Sequence, residues 1–323
     1  MYNLNASPVI DRCAFKYNRS LFGGGIANAD SSPTVTNCLF DGNWSPQGGG
    51  GIYNERGAAS IHDCSIVGNY GGGIYNSGAG TVSRCQIIGN TADAGGGINE
   101  GGSAVIEDCV MWGNSAKLGG GMNIAGTPVV LNCILDDNFA GDNVVIGRGG
   151  AISNSGSPSI RNCILTRNFS EADGGAIFNS GGAPEFINCT IVDNGSYQGP
   201  AGGLYNAGGS PYFVNCIFWD DLHWTDHWAV LWAGGNPVFR SCDLQWSGGS
   251  GPGWDSEHTG FDAGGNIDAD PLFIDEDRAP GPDEIWATED DALRLKANSP
   301  CTDSGINIHA PANDLLGLSR AGR

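Results

Sequence analysis

The chain reads as an all-β solenoid, a parallel β-helix of about ten coils closed by an irregular C-terminal cap. Three observations predict this. A short apolar stretch ending in the same phrase returns every 21 to 30 residues, as in Val35-Thr36-Asn37-Cys38-Leu39-Phe40-Asp41-Gly42-Asn43 and Ile160-Arg161-Asn162-Cys163-Ile164-Leu165-Thr166-Arg167-Asn168. A period of that size marks a repeat architecture. Each unit holds three short runs rich in β-branched residues, too short for helices. Glycine, 54 of 323 residues, is confined to the bends between runs, which excludes collagen-like and disordered readings.

The cysteines mark the phase: Cys13, Cys38, Cys64, Cys85, Cys109, Cys133, Cys163, Cys189, Cys216 and Cys242. Three residues before each stands an apolar residue, from Ile10 and Val35 to Phe213 and Phe239, and two after each stands another, from Phe15 and Phe40 to Phe218 and Leu244. This register predicts an inward face in which like residues stack coil on coil. In-register thiols one strand spacing apart have parallel Cβ vectors, which suits packing better than the disulfide dihedral. A buried, unbridged thiol ladder is therefore expected, with Cys301 out of phase. Asparagine just before several cysteines (Asn37, Asn132, Asn162, Asn188, Asn215) fits a corner, because Asn tolerates left-handed backbone. Five residues after the cysteine comes asparagine again, from Asn18 to Asn194 in most coils. Glycine-rich stretches such as Gly71-Gly72-Gly73-Ile74 supply the other tight bend. At ~4.8 Å per coil, ten coils would stand roughly 48 Å tall.

The phrases Phe/Ile-x-x-Asn and Gly-Gly-Ala/Gly-Ile, over about Ile10 to Asn206, resemble the repeats of chlamydial polymorphic outer membrane proteins and of bacterial right-handed parallel β-helix proteins. The tail, with Asn266-Ile267-Asp268-Ala269-Asp270-Pro271-Leu272-Phe273 and Ser299-Pro300-Cys301-Thr302-Asp303-Ser304-Gly305, is similar to the end of secreted planctomycete-type β-helix proteins. The resemblance implies a right-handed parallel β-helix and an exported, surface-bound life. It implies no reaction, since one fold hosts many activities. Residues 1–246 are expected to form the repeats, and 247–323 an acidic, loop-rich cap.

A net charge of −20 argues against nucleic acid as partner, because phosphate binding needs basic stripes. It also argues against an anionic glycan held by charge alone. No run of 18 apolar residues predicts a membrane span, and no signal peptide is visible. Met1 precedes a repeat already in mid-phase, so the chain is expected to be part of a longer one.

Chemistry-bearing residues gather in the later coils. Four residues after the cysteine stands glycine early on (Gly42, Gly68, Gly89, Gly113), then Asp137, Arg167, Asp193 and Asp220. The position before it contributes Asp136 and Trp219. Stacked on one edge and walled by the longer loops 139–148, 195–201 and 221–232, these charges make either a catalytic groove or a salt-bridge ladder that neutralises a stacked surface. Within residues 218–232, His223 and His227 lie four apart, as do Trp224, Trp228 and Trp232. That spacing predicts a helical turn with the two His on one face. Three readings stay open there: a zinc or copper site of His223 and His227 with Asp220 or Asp226, a sugar platform including Trp219, Trp224 and Trp228, or a helix anchored by its tryptophans. The tail run holding Asp275, Asp277, Asp283, Glu289, Asp290 and Asp291 resembles the calcium loops of secreted aspartate-rich modules, and otherwise reads as a solvated acidic loop.

Two functions compete at this point. One is an exported β-helix binding polysaccharide, cell-surface glycan or partner molecules along its lateral face. The other is a polysaccharide-active enzyme, a lyase or glycosidase, with its groove in the C-terminal half and calcium as cofactor.

Overall fold

The alternation predicted by the cysteine register folds into stacked parallel strands. The computed structural model describes residues 1–142, 146–223, 228–275, 279–286, 288, 291 and 293–307, with only the backbone of 222, 223 and 228. Each coil contributes one rung to each of three long sheets. We call A the ten-stranded sheet running from Tyr2–Leu4 to Trp228–Trp232. Sheet B has eleven strands, from Val9–Asp11 to Phe261–Asp262. Sheet C has ten, from Ala14–Lys16 to Asp243–Leu244. A fourth, six-stranded sheet, D, begins only at Thr91–Ala94 and ends at Leu222–His223. It adds a short extra side to the middle and later coils that the three-run reading did not include. The architecture is a right-handed parallel β-solenoid, as expected.

The inward positions are those the sequence marks. Ile61, Cys64 and Ile66 in one coil, and Phe213, Cys216 and Phe218 in another, are exposed by 3% or less. Registers are continuous, with Val35 opposite Ile61 and Phe186 opposite Phe213. The rings of Phe186, Phe213 and Phe239 stack at 4.8 Å. All eleven cysteines are free thiols, and of the phased ten all but Cys13 are buried. The ladder is held by more than shape. The Cys64 thiol donates to the His62 carbonyl at 3.2 Å, and its Sγ accepts the Cys38 N–H at 3.5 Å. Burial pushes the Cys133 thiol well above its ordinary range, so that group stays neutral.

The corner before each cysteine is left-handed, with φ of 53° at Asn37, Asn162 and Asn215 and 51° at Asn132. The asparagine five residues after each cysteine turns inward. Asn69 donates from Nδ2 to Asn90 Oδ1 at 2.9 Å and to the Phe40 carbonyl at 3.0 Å. This satisfies backbone groups that a corner would otherwise bury unpaired. A second ladder, unexpected from the sequence, runs along sheet A through Asn3, Asn28 and Asn54, and again through Asn154, Asn179 and Asn206. Between the two stretches, the buried Glu100 accepts from Asn76 at 2.9 Å and from the Gly102 N–H at 2.7 Å. Desolvation raises its carboxyl to about 7.

The cap folds back on the outside. Phe273, Ala279 and Leu293 are buried with Val192, and Ile164, Ile217, Trp219, Trp286 and Leu295 pack around them. The tail thus covers the outer face of sheet C in the later coils. Its far end is pinned by two hydrogen bonds between Asn215 and Ile306, at 2.7 and 2.9 Å, and by the Cys301 thiol on Asp243 at 2.9 Å. Among the described residues no helix is long and apolar enough to cross a membrane.

Candidate functional site

The charged edge begins with backbone geometry. Gly42, Gly68, Gly89 and Gly113 occupy a left-handed corner between sheets C and D, with φ from 60° to 63°. Asp137, Arg167, Asp193 and Asp220 occupy the same corner in later coils, with φ of 52°, 52°, 56° and 50°. Consecutive sheet C registers, Asp136 opposite Thr166 and Val192 opposite Trp219, place the four in neighbouring coils along one edge. The Asp137 N–H donates to Thr166 O and the Asp193 N–H to Trp219 O, each at 3.2 Å.

The ion pair of this edge involves a residue one position earlier than the corner. Arg167 binds Asp136 through both carboxylate oxygens, with Nε at 2.8 Å from Oδ1. Asp136 is only 2% exposed, because the tail closes over it and the Trp286 indole N–H donates to its Oδ2 at 2.9 Å. A forked guanidinium and an indole N–H therefore saturate one carboxylate. Asp137 is exposed beside this pair. Its carboxyl is raised by desolvation first and by Asp136 second, against the pull of Arg167. Arg167 also feels Asp137 and Asp193, so three of the four candidate residues share one electrostatic neighbourhood. Asp220 and Asp193 act instead on the buried Asp221.

The insertion is not a helix where it is described. Leu222–His223 is a strand of sheet D, in which His223 pairs with Ser196, and Trp228–Trp232 is a strand of sheet A, in which Trp228 pairs with Ala201. A spacing of four fits the two-residue period of a strand as well as the turn of a helix, and here the open edge of Ala201–Asn206 demands a ladder partner. Trp224, Asp226 and His227 lie outside the described residues. Trp219 is half-buried under the tail with Phe273 and Leu293, so it anchors the cap and does not stand as a free platform.

In the tail, Asp277, Glu289 and Asp290 lie outside the described residues. Asp275 and Asp283 are exposed, Asp283 accepting the Ile285 N–H at 2.8 Å. Asp291 is buried, 6% exposed, with its Oδ1 3.4 Å from the Thr288 hydroxyl. Among the described residues no three His, Cys, Asp or Glu side chains come together as ligands for a metal ion.

One aromatic residue on this face escaped the sequence reading. Trp112 pairs in register with Asp136 and is 46% exposed, one coil beyond the edge of the tail. The signal was available, because Trp112 stands three residues after its cysteine, as do Asp136 and Trp219. Other exposed aromatic residues lie toward both ends, Tyr2, Tyr17, Phe22, Trp44 and Tyr70 in the early coils and Tyr197, Trp246 and Phe261 in the later part, with Trp44 stacked on Tyr70 at 6.3 Å.

Residues 47–218, more than half of the chain, match the family model described as "Right handed beta helix region". Neither the curated proteins nor the solved structures contain a match. With continuous parallel registers over the same residues, the chain belongs to the right-handed β-helix family.

Proposed function

We propose that this protein is an exported surface β-helix that binds a neutral polysaccharide or cell-surface glycan along the outer face of sheet C, without turning it over. The observation that carries the reading is the juxtaposition of the exposed Trp112 with the Asp136–Arg167 pair one rung away. An indole covers the apolar face of a pyranose ring, and the part-exposed guanidinium and Asp137 beside it offer donors and acceptors to hydroxyls. The charge balance favours a neutral chain of sugars over an anionic one. Binding is favoured over catalysis because the best-placed carboxylate, Asp136, is buried and committed to Arg167 and Trp286. Its two oxygens are taken up by those donors under the tail and are closed to a substrate.

The enzyme reading rests on one specific observation, the raised carboxyl of Asp137 next to Arg167. A carboxyl that keeps its proton can serve as the general acid that polysaccharide cleavage needs. One experiment separates the two. Calorimetry against a panel of neutral and acidic polysaccharides should give binding that Trp112→Ala weakens about tenfold or more, the effect of removing an aromatic anchor, with the melting temperature unchanged. The same mixtures are assayed for new reducing ends and for unsaturated product, with and without calcium. Turnover abolished by Asp137→Asn would make the protein an enzyme. Binding to no member of the panel, with or without calcium, would remove the glycan reading.

A further inference from the structure

The inward asparagine ladder ends on an acid. In each coil from Asn43 to Asn194 the ladder side chain does two things. Its Oδ1 accepts from the asparagine one coil earlier, and its Nδ2 donates to the carbonyl of the apolar residue two after the preceding cysteine. Asn43 donates to Phe15 at 2.8 Å, Asn114 to Ile87 at 2.8 Å and Asn194 to Leu165 at 2.9 Å. The next place is taken by Asp221, 2% exposed. Its Oδ1 behaves as an asparagine carbonyl, accepting from the Asn194 N–H at 3.0 Å and from Asn194 Nδ2 at 2.9 Å.

Its Oδ2 stands where every other rung has an amide nitrogen. The packing against sheet A marks the place. A Cβ added at Gly73 would lie 3.2 Å from Asn90 Nδ2, and one added at Gly203 would lie 2.5 Å from Asp221 Oδ2. The repeat makes Ile191 the residue whose carbonyl this atom meets. Oδ2 is buried and has no hydrogen-bond partner. As a carboxylate oxygen it would be an acceptor facing an acceptor in a site that excludes water, which is costly. One proton on Oδ2 converts that opposition into the same hydrogen bond that the asparagines make.

We infer that Asp221 is held as a neutral carboxylic acid that donates to the Ile191 carbonyl, so that the ladder ends in a proton-dependent rung at the root of the 222–232 insertion. Burial is the main force keeping it protonated, and the charged neighbours that act on it, Asp193 and Asp220, are both acids and push the same way. From sheet A, Gly203 and Ala229 line its side without a titratable group. His223 is the nearest base in sequence. The consequence is a coil that tightens in acid and loosens in alkali. In the unfolded chain Asp221 ionises near pH 4, so between there and its raised folded value each pH unit weakens folding about tenfold through this residue.

Infrared difference spectra of the wild type against Asp221→Asn, at pH 7, should show a protonated-carboxyl carbonyl band that the variant lacks. Asparagine serves at this position in eight other coils, so Asp221→Asn should fold, match the wild type near pH 4, and exceed it in melting temperature by a margin that widens as pH rises. Repeating the titration in His223→Gln should leave that margin in place. Absence of the band, a margin that does not change with pH, a margin that vanishes with His223, or failure of Asp221→Asn to fold would each overturn the inference.

Discussion

Coils one to five and coils six to nine share one core and differ at one edge. Inside, Phe40 and Phe213 are equally buried, and the cysteine and asparagine ladders pass through both halves without a break in register. Outside, coils two to five turn on glycine at the corner that follows sheet C, where the first coil has Tyr17, and the later ones turn on Asp137, Arg167, Asp193 and Asp220. The change coincides with the cover. The tail lies over Ile164, Val192 and Ile217, while Val67 and Ile88 on the same face of earlier coils remain half-exposed. The difference teaches that the charges accompany the docking of the cap, and that open surface begins where the cap stops, at Trp112.

The largest expected effect tests the shared half of this comparison. Phe40→Ala and Phe213→Ala each remove a ring that is wholly buried in a stacked column, and each should cost ~3–5 kcal/mol. Chemical denaturation of the two variants should give costs within about 1 kcal/mol of each other if the core is one continuous body. A much smaller cost for Phe40→Ala would mean that the early coils melt separately from the later ones, as one-dimensional arrays can.

A middle-sized effect tests the difference. Trp286→Phe keeps a ring under the tail but removes the indole donor from Asp136 Oδ2. Loss of a hydrogen bond to a buried charged group should cost about 1.5–3 kcal/mol. Because the contact joins residues 150 positions apart, the loss should also free the tail to limited proteolysis while the repeats stay resistant. Cleavage of the tail at the wild-type rate would show that Phe273, Leu293 and Trp219 hold the cap without help from the ion pair.

The core was legible in the sequence because it repeats. One residue type at one phase, such as the cysteine, fixes the inward side of every neighbouring position once the two-residue period is known. The candidate edge was legible as a position, while its chemistry was not. Glycine and aspartate alternate there because the backbone is left-handed, a condition that both residue types tolerate, so the appearance of Asp193 or Asp220 is a corner solution before it is a charge. The partner of Arg167 was not legible, since Asp137 and Asp136 are equally near in sequence and only the pleat decides which one faces the guanidinium. Trp286 was out of reach altogether. It meets Asp136 across 150 residues, and no periodicity carries information over an irregular tail. The strand at Trp228–Trp232 was misread because a spacing of four satisfies two periods, and the deciding fact, the unpaired edge of Ala201–Asn206, belongs to the assembled sheet.

The smallest effect separates backbone from charge at the corner itself. A Cβ added at Gly68 or Gly89 meets nothing within 4 Å, while the φ there is 60° or 61°. Gly89→Ala is therefore a test of left-handed strain alone, and should cost about 1 kcal/mol. Asp193→Gly runs the same change backwards in a later coil, at φ 56°. If the carboxylate contributes nothing beyond its tolerance of the corner, the variant should change stability by no more than about 0.5 kcal/mol, since Asp is among the side chains least penalised in left-handed backbone and Gly gains freedom when unfolded. Removing the charge should at the same time ease the burden on Asp221, to which Asp193 is an electrostatic neighbour, and so lower the pH at which that acid ionises. Denaturant midpoints of the two variants, taken at pH 5 and pH 8, decide the matter. A loss above about 1 kcal/mol in Asp193→Gly at both pH values would show that the carboxylate is bonded into the edge, and the later coils would then owe their charged corner to stability as well as to geometry.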